Sequence, residues 1–170
     1  REGYACGIPV KITKGVTAAA GSSTLEIAYL LEGLPTDRPL HFGVEFNFAG
    51  LPSHADDRYF YRGRHERLGP LHTQLDLQDS SELSMVDEWL GLDVRMLADQ
   101  PTAWWTFPIE TVSNSEGGFE LVHQSVVVHP HWLVRGDVDG RWSVTFQLEL
   151  DTQLAERRMQ PVIAGVVGAD

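Results

Sequence analysis

One cysteine is too few for any internal cross-link. Cys6 stands alone among 170 residues, which excludes an intrachain disulfide and a cysteine-based zinc site. It also fits a reducing compartment, the cytoplasm. Basic residues are scarce: 13 against 24 acidic ones give a net charge of -11. Such a surface repels phosphate backbones and anionic lipid, so neither nucleic acid nor a membrane is an expected partner. A neutral ligand such as a carbohydrate meets no such penalty. No apolar run is long enough to span a bilayer. The first residues, REGYACGIPV, hold neither the hydrophobic stretch of a secretory leader nor an initiator methionine, so the chain reads as an excised domain or a processed piece. Nucleophile and cofactor signatures are also missing. There is no G-x-S-x-G, G-x-G-x-x-G, phosphate-binding loop or H-E-x-x-H, and no cofactor is expected.

What is present is alternation. In LHFGVEFNFA, Leu40, Phe42, Val44, Phe46 and Phe48 share one face, and His41, Gly43, Glu45 and Asn47 share the other. WSVTFQLEL repeats the pattern with Trp142, Val144, Phe146, Leu148 and Leu150 inward, and TLEIAYLLE places Leu25, Ile27, Tyr29 and Leu31 together. WLGLDVRML adds Leu90, Leu92, Val94 and Met96. One buried face per strand points to antiparallel sheets stacked on a shared core, an all-β sandwich in a single domain. Turn residues separate the runs, and RGDVDGR at 135 to 141 reads as a hairpin joining HWLV to WSVTF. Little helix is expected; a short one over Asp76 to Glu88, capped by Ser80 or Ser81, is the best candidate. Residues 50 to 75 lack a clean period beyond a short strand at 58 to 62. The arginines there (58, 62, 64 and 67) are either a solvated loop or a clamp for a partner's carboxylates.

The run WWTFPIETVSNSEGGFE, residues 104 to 120, carries most of the candidate binding groups. Read as one strand, it places Trp105, Phe107, Ile109 and Thr111 in the core. Trp104, Thr106, Pro108, Glu110 and Val112 take the opposite face. Trp104 and Glu110 then stand roughly 20 Å apart, at about 3.3 Å per residue, so they mark two ends of a surface rather than one sugar site. SNSEGG is a turn in which Glu116 either accepts ligand hydroxyls or caps backbone N–H groups. Glu120, four residues on, does not define a glycosidase pair with it. Trp89, Trp104 and Trp132 are further stacking candidates. His129 and His131 share a strand face, as in some zinc sites, but a third ligand at a matching spacing is missing and no metal is expected.

The run WWTFPIETVSNSEGGFELVHQSVVVHPHW, residues 104 to 132, resembles the closing β-sandwich domain of glycoside hydrolase family 57. That family contains α-amylases and 4-α-glucanotransferases acting on starch-like α-glucans. FGVEFNFAG (42 to 50) and LGLDVRM (90 to 96) resemble strands of the same domain. The resemblance implies a twisted supersandwich of the galactose-mutarotase-like kind spanning residues 1 to 170. It also implies that the catalytic residues belong to an N-terminal (β/α)-barrel with no counterpart here, so no catalytic residue is carried over. The implied partners are that barrel and an α-glucan or oligosaccharide. Two surfaces are candidates for the glucan: the face with His41, Glu45 and Asn47, and the segment holding Trp104, Glu110, Glu116 and Glu120. A free-standing carbohydrate-binding or interaction module remains open. So does a mutarotase-like epimerase using His41 and Glu45.

Overall fold

The computed structural model describes residues 1–64, 66–115 and 117–159. Its strands are β1 (Glu2–Ala5), β2 (Ile8–Ala18), β3 (Thr24–Glu32), β4 (Leu40–Gly43), β5 (Phe46–Ala49), β6 (Arg58–Arg62), β7 (Glu66–Pro70), β8 (Asp76–Asp87), β9 (Leu92–Ser115), β10 (Gly118–Val134) and β11 (Arg141–Asp151). The helix α1 (Gln153–Met159) follows. No helix among the described residues is long and apolar enough to cross a membrane.

All pairings are antiparallel, in the order β1-β2-β3-β11-β9-β8-β6-β7, with β10 joining β9 to β4 and β5. The sheet folds over on itself because β9 is long enough to serve two layers. Its first half pairs with β11 and the end of β8, and its second half pairs with β10. Between the halves, β8 bends with it. The β8–β9 register slips on both sides of Ser80, and Asp79 adopts a positive φ of 54°. Such a bulge re-aims a strand without ending it.

The core fills the space between the layers. Ile27, Tyr29, Leu31, Val144 and Phe146 come from one side, and Trp104, Val126, Val128, Trp132 and Val134 from the other. Phe146 sits at the centre, with ring centroids 5.6 Å from Phe46 and from Trp132, 6.2 Å from Trp104 and 6.4 Å from Tyr29. These edge-on and tilted contacts use the rings' quadrupoles as well as their buried area.

Four sequence expectations change. Residues 76 to 87 form strand β8, not a helix. Leu83 and Met85 point into the core, and Ser80 serves the bulge, its hydroxyl donating to Glu82 O at 2.7 Å. The 135 to 141 turn joins no hairpin, because β10 pairs with β4, β5 and β9 while β11 pairs with β3 and β9. Three of the four arginines at 58 to 67 are engaged within the domain. Arg58 holds buried Asp87 at 2.7 Å, Arg62 holds Glu66 at 2.8 Å, and Arg67 donates to Asp56 O at 2.6 Å. The fourth correction reverses the two tryptophans. Trp104 is 0% exposed, with Nε1 donating to Ser80 O at 2.8 Å, whereas Trp105 is 37% exposed. Both faces of this segment are apolar, so alternation alone does not choose between them. Strand β10 chooses, because its core-facing Val128 and Val126 pair opposite Thr106 and Pro108.

Past Glu110 and His123, β9 and β10 continue as a two-stranded arm. Val112 and Leu121 face each other across it, with Phe119 on the same side, and the three are 67%, 68% and 80% exposed. Removing the buried indole by Trp104→Ala is expected to cost about 3–5 kcal/mol in urea unfolding. Trp105→Ala should cost about 1 kcal/mol or less. The reverse order would show that the two faces are assigned wrongly.

Candidate functional site

The outer face of the layer formed by β4, β5, β10 and the second half of β9 gathers polar and aromatic groups. Alternation fixes their side. Trp105 pairs opposite His129, Gly43 opposite His131 and Asn47 opposite Val127. Three of the expected residues, His41, Glu45 and Asn47, stand together here. Asn47 Nδ2 donates to Glu45 Oε1 at 2.7 Å, and Ser125 Oγ donates to Asn47 Oδ1 at 3.3 Å. His41 Nε2 meets His131 Nδ1 at 3.0 Å.

Trp105 organises the centre of this face. Its ring lies tilted over His131 at 3.9 Å between centroids, stacks on His129 at 5.8 Å and meets the edge of His41 at 5.7 Å. Its Nε1 donates to Asp76 Oδ1 at 3.2 Å, which tethers it to β8. The His129 imidazole packs directly over Gly43, where any Cβ would collide with its Nε2. Glycine is there because a ring needs the space of a side chain. Sequence reasoning sent Trp105 to the core and treated the two histidines as bystanders. The available signal was Gly43, the single gap in an otherwise regular strand, opposite the paired histidines.

Burial holds His129 and His131 below the usual histidine value of 6.5, and the His41 imidazole adds to the effect on both. Glu45 opposes it at His129 and Asp76 opposes it at His131. His131 is 8% exposed and, among the described residues, its Nε2 has no hydrogen-bond partner. Among the described residues, no group of three or more His, Cys, Asp or Glu side chains is placed to hold a metal ion.

The other expected residues lie elsewhere. Trp104 is sealed in the core and offers no stacking face, whereas the ring of its neighbour Trp105 is partly exposed. Glu110 faces the opposite end of the sandwich, with Oε1 3.9 Å from His54 Nε2. Glu120 sits on the arm opposite Ser113, and Glu116 lies outside the described residues.

At Glu110, a second histidine cluster closes the core. His123 Nε2 donates to Leu51 O at 2.9 Å, so its Nδ1 accepts the Ser53 hydroxyl at 3.2 Å. That hydroxyl has one proton, so His54 Nδ1 must donate to it, at 2.9 Å. His72 Nδ1 donates to Ser53 O at 2.9 Å, and its ring stacks on His54 at 4.7 Å. Ser53 is buried, and this cluster works as a clasp for the loop after β5.

Comparison with known proteins adds a family. The pattern describing "Alpha-amylase/4-alpha-glucanotransferase, C-terminal" matches residues 1–146. The chain is 28% identical to Alpha-amylase 1 of Dictyoglomus thermophilum over 131 residues, covering 74% of this chain and 18% of that protein. Its fold is similar to the crystal structure of 4-alpha-glucanotransferase from Thermococcus litoralis. There the TM-score is 0.59 at 23% identity, over 88% of this chain and 20% of that one. The chain thus spans about one fifth of the length of either relative.

The depressed histidines set a pH dependence. As pH falls, the unfolded chain binds protons at these positions before the folded one does. The stability they contribute is therefore full above about pH 6.5 and is lost as pH falls through the lowered folded values. The thermal midpoint is expected to drop between pH 7 and pH 5, and to drop less in His131→Gln. An equal drop in both proteins would remove His131 from the account.

Proposed function

The chain belongs to the alpha-amylase/4-alpha-glucanotransferase C-terminal family, and from that membership we propose that it is the non-catalytic β-sandwich of an α-glucan-processing enzyme. In this reading it supports a catalytic barrel in the same polypeptide and contacts the glucan itself. The family match over residues 1–146, which takes in every layer of the sandwich, is the observation that carries it.

Two surfaces suit the two tasks. The arm carries Val112, Phe119 and Leu121 on one exposed side, the kind of apolar stripe that a neighbouring domain covers. The outer face offers the half-open ring of Trp105 beside His41, Glu45 and Asn47. Sugar rings stack on aromatic faces, while carboxylates, amides and imidazoles exchange hydrogen bonds with hydroxyls. A net charge of -11 favours a neutral ligand over an anionic one. The lone Cys6, free and exposed, accords with work in the reducing cytoplasm.

Titration with maltoheptaose, followed by tryptophan fluorescence and amide NMR shifts, tests the glucan contact. Saturable binding at millimolar sugar is expected, weakened roughly tenfold (about 1.4 kcal/mol) by Trp105→Ala. A flat titration would remove the glucan contact and leave the supporting role.

A further inference from the structure

Where β8 and β9 bend from one layer to the other, a cleft of about 590 Å³ opens beside the outer face. That volume lies within the roughly 300–1,000 Å³ of small-molecule sites. Its lining includes His41, Gln78, Asp79, Gln100, His131 and Trp142. We propose that this corner cleft is a binding site for a neutral pyranose, and that it receives a sugar residue of the glucan. The proposal rests on the glucan-contact reading above and assigns it a place.

Spare hydrogen-bonding capacity is the first argument. Asp79 is exposed and, among the described residues, its carboxylate has no partner. The bulge holds its backbone at a φ of 54°, a conformation that aspartate tolerates better than most residues. Gln100 spends its Nε2 on Ser143 O at 2.8 Å, and Gln78 spends its Nε2 on Asp76 Oδ1 at 2.6 Å, so each keeps a carbonyl oxygen to accept. His131 also leaves a valence unfilled. Whichever ring donates in its bond to His41, its Nε2 is left with an unmatched proton or lone pair.

Shape and charge supply the rest. Trp142 is half-buried. Its ring packs at 5.8 Å on Phe42 and 5.2 Å on Trp132, which fixes its plane at the cleft wall. An aromatic wall facing several acceptors matches a pyranose, which has apolar faces and a rim of hydroxyls. Among the described residues no lysine or arginine lines the cleft, so none of them compensates a phosphate or carboxylate there.

The test uses the same chain and the same maltoheptaose titration. Asp79→Asn keeps the side-chain shape and the left-handed backbone. It is expected to weaken binding about tenfold, the scale of a lost charge-assisted hydrogen bond. The Trp142 indole NMR signal should move on saturation, and glucose 6-phosphate should bind no more tightly than glucose. If Asp79→Asn binds as the parent does and the Trp142 signal stays still while Trp105→Ala weakens binding, the cleft is overturned and the glucan reading stands. Preference for the phosphorylated sugar overturns the neutral-ligand assignment. A parent chain that binds no maltoheptaose overturns both readings.

Discussion

The hydrogen bond from the Trp104 indole to the Ser80 carbonyl holds the corner of the sandwich. A long antiparallel sheet with one apolar face has to cover that face. Here the cover is the sheet's own continuation, because β8 and β9 both run through the bend. The bend breaks the regular ladder around Ser80 and leaves backbone groups to satisfy. Trp104 supplies one donor there, and the Thr102 hydroxyl bonds both Gln100 O and the Trp132 indole. The same rings that fill the core therefore pair polar groups at the corner. Without them the two layers would have no fixed angle, and the outer face and the cleft would have no fixed shape.

The two histidine clusters show how one residue type divides its work. Around Ser53, three imidazoles have partners whose donor and acceptor roles are mutually consistent, and the product is a closed loop. Around Trp105, the rings are packed as tightly, yet one buried nitrogen goes unmatched and two of the rings resist protonation. A buried polar atom without a partner costs about 1–3 kcal/mol.

Much of this architecture was legible in the residues. The alternation in 24 to 32, 40 to 49 and 142 to 150 named the core faces of β3, β4, β5 and β11, since each has one apolar side and one polar side. Where both sides are apolar, as at Trp104 and Trp105, the choice belongs to a partner strand more than a dozen residues away and local pattern is silent. Ser80 and Ser81 read equally well as a helix cap or as part of a bulge, because both exploit short side chains that bond nearby backbone. Of the groups on the outer face, alternation alone places His41, Glu45 and Asn47 together, whereas Trp105, His129 and His131 join them only through pairing between distant strands.

That dependence on distant pairing has a consequence for how the chain is made. Strand β3 takes β11 as its second neighbour, with Glu32 opposite Arg141 and Thr24 opposite Glu149. At a synthesis rate of about 5–20 residues per second, β3 waits roughly 5–25 seconds for that neighbour to leave the ribosome. Until then Ile27, Tyr29 and Leu31 face an unfinished core, and β3 has only β2 beside it. The meander of β1, β2 and β3 can zip early, but the sandwich cannot close before nearly all of its strands exist. Folding of this domain is therefore a late event in its own translation, and its nascent form is the one most in need of protection from aggregation.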